Sequence, residues 1–275
     1  MSAPRSVHAV RFSAAAVGEQ LTAMRGHAPL VQCLTNIVVA QWTANVLLAA
    51  GASPAMVDNP EESGPFAAVA DAVLVNLGTP QEETVAAMHG VVRAAAVAGT
   101  PWVLDPVGVG GLLWRTRIAS DLLALAAPAL IRGNPSEILA LSGVGGGGRG
   151  PESVDTAEDA VDVAMSLAQQ HGTVVAVSGA VDHLTDGTRL VRVANGHPWL
   201  TKVTGGGCAL GALMAAFAAT ADDPLLAATA ATATYTVAAD IAAERVAGPG
   251  SFAVALLDSL ASLDPQELVD RVVLR

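Results

Sequence analysis

The residues best equipped for chemistry stand in the run Val203-Thr204-Gly205-Gly206-Gly207-Cys208, which opens a stretch rich in Ala, Leu and Met. Glycines ahead of a helix start leave backbone N–H groups unpaired, and such an end attracts anions. The run is an anion cradle with a thiol in it, or else a flexible loop closed by a buried cysteine. Other residues decide between the two. Asp105 and Glu137 are hard oxygen donors suited to Mg2+, which keeps several waters and bridges to substrate phosphates. Arg132 and Ser178 can hold phosphate oxygens, and the amides of Gly205, Gly206 and Gly207 can take a transferred group. That set has the layout of phosphoryl transfer. A Gly-x-x-x-x-Gly-Lys-[Ser/Thr] loop is absent and Lys202 is the only lysine, so a P-loop mechanism is excluded.

These residues need elements to position them. Short β-branched runs at 30–34, 55–57, 72–77, 102–104, 129–131 and 174–177 alternate with helical patterns at about 36–50, 60–70, 80–98, 115–126, 135–141 and 155–171. That rhythm predicts βαβ units around a mostly parallel sheet covered on both faces. Residues 184–193, with Asp186-Gly187 between alternating segments, predict a hairpin at the sheet edge. Helices follow at roughly 207–220, 224–245, 250–262 and 265–273. The fold class is α/β, a three-layer α/β/α sandwich in one domain over 1–275, with no separate lid domain.

Ligands of such sheets bind beyond the carboxyl ends of the strands. Those ends carry Thr35-Asn36, Asn76 to Thr79, Asp105 to Gly108, Arg132 to Asn134 with Glu137 one turn on, and Ser178-Gly179. Singly, each has a structural reading: Asp105 as a turn residue before Pro106, Asn36 and Ser136 as helix caps, Arg132 paired with a surface acid. Convergence on one edge favours a site. The run from Gly143 to Gly150 neither follows a strand nor opens a helix, and reads as a linker or as a flap.

Composition narrows the partners. The formal net charge is −11, and the basic residues are scattered, which argues against nucleic acid and against an anionic membrane surface. Positive mean hydropathy comes largely from alanine, and no window offers the ~20 strongly apolar residues of a membrane span. The first twenty residues lack the apolar core of a signal peptide, so a cytoplasmic location is expected. Cys33 and Cys208 read as free thiols. Residues 224–245 are small or apolar nearly all round and must be buried, in the core or in an interface.

The ordered motifs resemble those of the hydroxyethylthiazole kinases, thiamine-salvage enzymes of the ribokinase-like superfamily. The matching pieces are Cys33 to Val39 with Thr43-Ala44-Asn45, then Gly51 to Met56, Asp105 to Gly108, Arg132 to Ile138, Val177 to Gly179 and Val203 to Cys208, across about residues 15–265. The resemblance implies ATP-dependent phosphorylation of the alcohol of 4-methyl-5-(2-hydroxyethyl)thiazole by a homotrimer with substrate sites at subunit interfaces. It further implies that Asn36, Val38, Met56, Gly78 and Gly205 line the thiazole pocket, and that Arg132 and Ser178 contact ATP near Gly206 and Gly207. Asp105 and Glu137 would organise Mg2+. Cys208 would sit beside the hydroxyl, where most ribokinase-like enzymes carry an aspartate base.

A helix N-terminus can lower a thiol below its usual ~8.5, which would let Cys208 accept the alcohol proton. Two departures stand out. Gly206 replaces a threonine, which implies a looser loop, and Pro135 replaces a small residue at a position where proline suits a first helical turn. Other readings are a pyrimidine or pyridoxal kinase, or a thiazole- or nucleotide-binding protein without turnover.

Overall fold

A computed structural model describes residues 8–9, 12–143 and 157–275. In chain order the first half holds β1 (His8–Ala9), α1 (Ala14–His27), β2 (Leu30–Leu34), α2 (Ala40–Ala50), β3 (Ser53–Ala55), α3 (Pro60–Ala67), β4 (Ala72–Asn76), α4 (Glu82–Ala98), β5 (Trp102–Asp105) and α5 (Leu113–Leu125). Then come β6 (Leu130–Gly133), α6 (Pro135–Leu141), α7 (Val161–His171), β7 (Val174–Val177), β8 (Asp182–Thr185) and β9 (Arg189–Val193). A 3-10 turn at Pro198–Lys202 leads to α8 (Gly206–Ala218), α9 (Pro224–Glu244), α10 (Pro249–Ser262) and α11 (Pro265–Arg271).

The strands form one sheet in the order β1-β9-β8-β7-β6-β5-β4-β2-β3, antiparallel only where β8 meets β7 and β9. Side chains alternate between the faces of a strand, and the two cores follow that period. Val31, Cys33, Leu74, Val103 and Leu130 pack with α1, α2, α8, α9 and α10. Their neighbours Val73, Val75, Leu104 and Ile131 pack with α4, α5 and α7 on the other side. This is the three-layer sandwich the sequence implies.

Several boundaries and one placement need correcting. The strand expected at 55–57 lies at Ser53–Ala55, where Pro54 is tolerated because β3 is an edge strand. Helix α2 starts at Ala40 rather than 36, and α7 at Val161 rather than 155. The β8–β9 hairpin does form, but the edge is closed by β1, which pairs parallel with β9. Helix α1 is an element that strand-and-helix counting passed over. Ser13 caps it by accepting from the Ala16 N–H, and it buries Val17, Leu21 and Met24. Gly143 follows α6 with φ 74, and the rest of the glycine run to Gly150 lies outside the described residues.

Helix α9 does reach the length and hydropathy of a membrane span, contrary to the reading of the bare sequence, but 89% of its apolar window is buried inside this chain. Sixteen of its residues, alanines and threonines foremost, fill the core beside α8 and α10. Its threonines Thr229, Thr232 and Thr236 return their hydroxyls to carbonyls one turn back, which lets a polar residue sit in that core.

One guanidinium on α1 joins the ends of two other helices. Arg25 donates to the carbonyls of Leu263 (2.6 Å), Leu260 (2.7 Å) and Ala50 (3.1 Å), closing the ends of α10 and α2 together. Arg25→Met leaves three carbonyls without that donor, and urea denaturation should show a loss of about 2–4 kcal/mol. A loss below about 0.5 kcal/mol would show that water replaces the guanidinium freely.

Candidate active site

The alternation that builds the cores also aims the site. One position beyond Leu74, Val103, Leu130 and Ala176 on the α8 face comes the next residue of that face: Asn76, Asp105, Arg132 and Ser178. All four therefore end or follow adjacent strands beneath the N-terminus of α8. The register makes Asn76 and Asp105 direct partners across β4 and β5.

Helix α8 can approach these groups because it lacks side chains where they lie. A Cβ at Gly207 would stand 2.6 Å from Arg132 Nη1, and one at Gly211, a turn later, 3.5 Å from Asp105 Oδ2. Gly205 enters the helix with φ 88, and a Cβ there would strike Val39 and Trp42. Gly206 is constrained differently. A Cβ would meet the Leu200 carbonyl oxygen at 2.7 Å, and the Gly206 N–H already donates to Val203 at 3.2 Å. The glycine is a packing requirement rather than the looseness its sequence suggests.

The polar groups form one connected set. Arg132 donates through Nε and Nη2 to Ser178 Oγ (3.1 and 2.9 Å), and its Nη1 lies 3.8 Å from Asp105 Oδ1. Asp105 Oδ2 accepts from Asn76 Nδ2 at 2.8 Å. Asn76 Oδ1 accepts from the Gly78 N–H and from Asn36 Nδ2, and Asn36 Nδ2 also reaches Cys208 Sγ at 3.5 Å. Gly78 is required there, since its Cβ would stand 2.5 Å from the Asn36 amide. Asn36 is thus no helix cap: Val39 precedes α2, without a side-chain cap. The cap of α6 is Asn134, and Ser136 bonds to it. Arg132 pairs with a buried acid, not one on the surface.

Charge and burial set the ionisation of the site. Burial pushes the Asp105 carboxyl up to about 7, with Glu137 adding to the rise; Arg132 and the Asn76 bond pull it back only in part. The Cys208 thiol also rises, to about 11, because burial and the Asp105 charge outweigh the nearby amides and Arg132. This corrects the expectation of a thiol lowered by the helix end: burial and the Asp105 charge hold it above its ordinary value. Asp182 is buried and pushed up to about 6 while its Oδ1 accepts from the Gly179 N–H.

A divalent cation has a partial set of donors here. Asp105 Oδ1 is buried and makes no hydrogen bond, so one hard oxygen is open beside Arg132. Glu137 is engaged: Oε1 accepts from Gly108 N–H, and Oε2 from Asn134 N–H in the capping box that starts α6. Among the described residues no group of three or more His, Cys, Asp and Glu could hold a metal ion. One open carboxylate oxygen is enough to anchor Mg2+ that keeps most of its waters and bridges to phosphates.

Beside α8 lies a cavity of about 540 Å3, lined by Arg132, Ser178, Gly206 and Gly207 together with Asp182, Asn195, His197 and Tyr235. The first four were legible as candidates; the last four were not. Asp182 and Asn195 belong to the β8–β9 region, which reads only as a hairpin, and Tyr235 lies within an alanine-rich helix. Tyr235 Oη and Trp42 Nε1 approach each other without closing a hydrogen bond, 3.9 Å from where a Gly206 Cβ would stand in the case of the tyrosine. Val38 and Met56 are not drawn into this cavity. Val38 is 65% exposed and Ile37 79%, an apolar strip that follows Asn36 directly in the chain, and Met56 is 40% exposed. Gln32, missed as a buried strand residue, fixes the segment after β3 by donating to the carbonyls of Val57 (2.8 Å) and Ser63 (3.0 Å).

Comparison with known proteins points to one family. Residues 21–266 match the Hydroxyethylthiazole kinase family. A relative named hydroxyethylthiazole kinase from Clavibacter sepedonicus is 62% identical over 246 residues, covering 90% of this chain and 89% of its own. The solved hydroxyethylthiazole kinase protein of Pyrococcus horikoshii OT3 superposes with a TM-score of 0.87 at 40% identity, over 94% of this chain and 98% of that one. A ribokinase-like superfamily protein from Enterococcus faecalis, at 13% identity and a TM-score of 0.64 over 90% and 94% of the two chains, shares the fold.

The packing at Gly206 yields a measurable consequence. Gly206→Thr forces the Leu200 carbonyl away and should lower stability by about 1–3 kcal/mol in thermal melts, with no gain in nucleotide affinity. A variant that melts like the native chain and binds ATP more tightly would refute the steric argument.

Proposed function

This chain belongs to the hydroxyethylthiazole kinase family, and from that premise we propose how its residues divide the work of phosphorylating the hydroxyethyl alcohol of the thiazole with ATP. The observation that carries the assignment is the connected set running from Cys208 and Asn36 through Asn76 to Asp105 and Arg132. One end of it adjoins the exposed Ile37 and Val38 in the chain, and at the other Arg132 lines the cavity. The alcohol belongs at the first end and the nucleotide at the second.

On the nucleotide side, Arg132 is held in one orientation by Ser178, and the Gly206–Gly207 entry to α8 adds an N-terminal dipole for the transferred phosphoryl group. Mg2+ would be held by Asp105 Oδ1, with Glu137 in support, and when bound would neutralise charge on the phosphates. On the alcohol side, Asn36, Gly78 and Gly205 form the floor, with Val38 and Met56 at its rim. Cys208 stays protonated near neutral pH, so it orients the hydroxyl rather than taking its proton. A loose phosphoryl-transfer transition state asks little of a base, and positioning supplies most of the acceleration.

The exposed strip supports an assembly as well. Ile37, Val38 and Met56 put apolar surface in water beside the alcohol site, and a homotrimer that places this site at a subunit interface would cover it. Because α9 is core within one chain, it contributes no argument for the trimer. A cytoplasmic setting is supported by the use of ATP.

Three measurements test these assignments. ADP release should depend on the thiazole alcohol and be far slower with hydroxymethylpyrimidine or pyridoxal; thiazole binding without ADP release would leave only a binding protein. Cys208→Ser should keep kcat within about tenfold and leave the pH–rate profile between 6 and 9 unchanged, because a thiol near 11 contributes no ionisation there. A limb in that range that disappears in the serine variant would make the thiolate the base. Sedimentation should give the mass of three chains, and a single-chain mass at full activity would rule out a shared site.

A further inference from the structure

Asn76 ends β4 almost fully buried, at the point where the two sides of the site meet. Its amide has one orientation. A backbone N–H can only donate, so the atom facing the Gly78 N–H at 2.9 Å is the oxygen. The nitrogen then faces Asp105 Oδ2 at 2.8 Å, which as a carboxylate oxygen accepts. The same oxygen meets Asn36 at 3.0 Å, so the Asn36 group turned toward it must be the nitrogen. That nitrogen also lies 3.5 Å from Cys208 Sγ, so the bonds of Asn36 to Asn76 and to Cys208 both use Nδ2 and leave Oδ1 on the opposite side of the amide. One backbone N–H therefore sets the polarity of two side-chain amides in series.

We infer that Asn76 is a positioning residue that obliges Asn36 to present its carbonyl oxygen to the alcohol, so that the site selects a hydrogen-bond donor, the alcohol O–H, and holds it in register with Asp105. The inference rests on the assignment of Asn36 to the alcohol side. A turn-closing role alone would need only the bond from Gly78. It would not require the second bond to Asn36 or the third to Asp105. A side chain freed from Asn76 could rotate by half a turn and offer its nitrogen instead, and the preference for a donor would be lost while the pocket kept its shape.

The readout is a ratio of dissociation constants, measured by calorimetry without nucleotide: the thiazole alcohol against its methyl ether, which accepts but cannot donate. The native chain should prefer the alcohol by at least about tenfold, the loss expected when a polar partner is left unmatched. Asn76→Ala should compress that ratio to within about threefold, because Asn36 is then free to flip. Asn76→Asp keeps an acceptor for Gly78 and Asn36 but sets a second carboxylate against Asp105. It should keep the ratio while kcat falls by more than about thirtyfold. If Asn76→Ala does not fold, Asn76→Ser reads the same ratio, its hydroxyl being a bond too short to serve Asn36 as well as Gly78. A native ratio in Asn76→Ala or Asn76→Ser, or a lost one in Asn76→Asp, overturns the inference. Asn36→Ala separates the underlying assignment: if it leaves alcohol binding unchanged, Asn36 is not on the alcohol side at all. If it weakens binding while Asn76→Ala keeps the native ratio, only the role of Asn76 fails.

Discussion

Everything in this site depends on how closely the first turns of α8 can lie against charged strand ends. Gly207 and Gly211 are one turn apart on the same helix face; the Arg132 guanidinium fills the space a Gly207 side chain would take, and the Asp105 carboxylate lies in van der Waals contact with where a Gly211 Cβ would stand. Two groups that would otherwise be costly to bury thereby sit at a helix N-terminus between two hydrophobic layers. The 3-10 turn before α8 presses from the other side, with the Leu200 carbonyl where a Gly206 side chain would be. The glycine run is a surface shaped to its neighbours on three sides.

That approach explains the electrostatics. Arg132 and Asp105 face each other at 3.8 Å, beyond hydrogen-bond range, so their attraction offsets only part of what burial costs the carboxylate. Asp105 is left with one bonded oxygen, held by Asn76, and one open. Glu137 contrasts with it: both of its oxygens hold backbone N–H groups, fixing the Gly108 turn and the start of α6. Two carboxylates that look alike in the sequence thus have different freedom, one with an open oxygen and one built into the walls.

Much of the architecture was legible because the strand interiors are unbroken apolar runs and polar residues begin where they stop. Val174–Val177 and Pro135–Leu141 have the bounds that the apolar pattern and the Asn-Pro start imply. The site's members could be collected from the strand ends for the same reason, and alternation explains why Asn76, Asp105, Arg132 and Ser178 share a face. What the sequence hides is contact across distance. Nothing near Arg25 in the chain announces that it caps α10, and nothing near Gly206 announces the Leu200 carbonyl. The ionisation of Cys208 was misread because helix position is visible in a sequence and burial of a particular atom is not. Helix α1 was passed over although Ser13 and the spacing of Val17, Leu21 and Met24 mark it.

For the proposed nucleotide site, the placing of Arg132 deep against α8 governs how an anion approaches. The chain carries a formal charge of −11, and its one lysine stands just before the glycine run. At long range an anionic ligand meets a repelling field, and attraction begins only when it is within about a Debye length, ~8 Å at physiological ionic strength, of the buried guanidinium. Capture is therefore a short-range event, and added salt, by screening the outer repulsion more than the inner pairing, quickens encounter instead of slowing it.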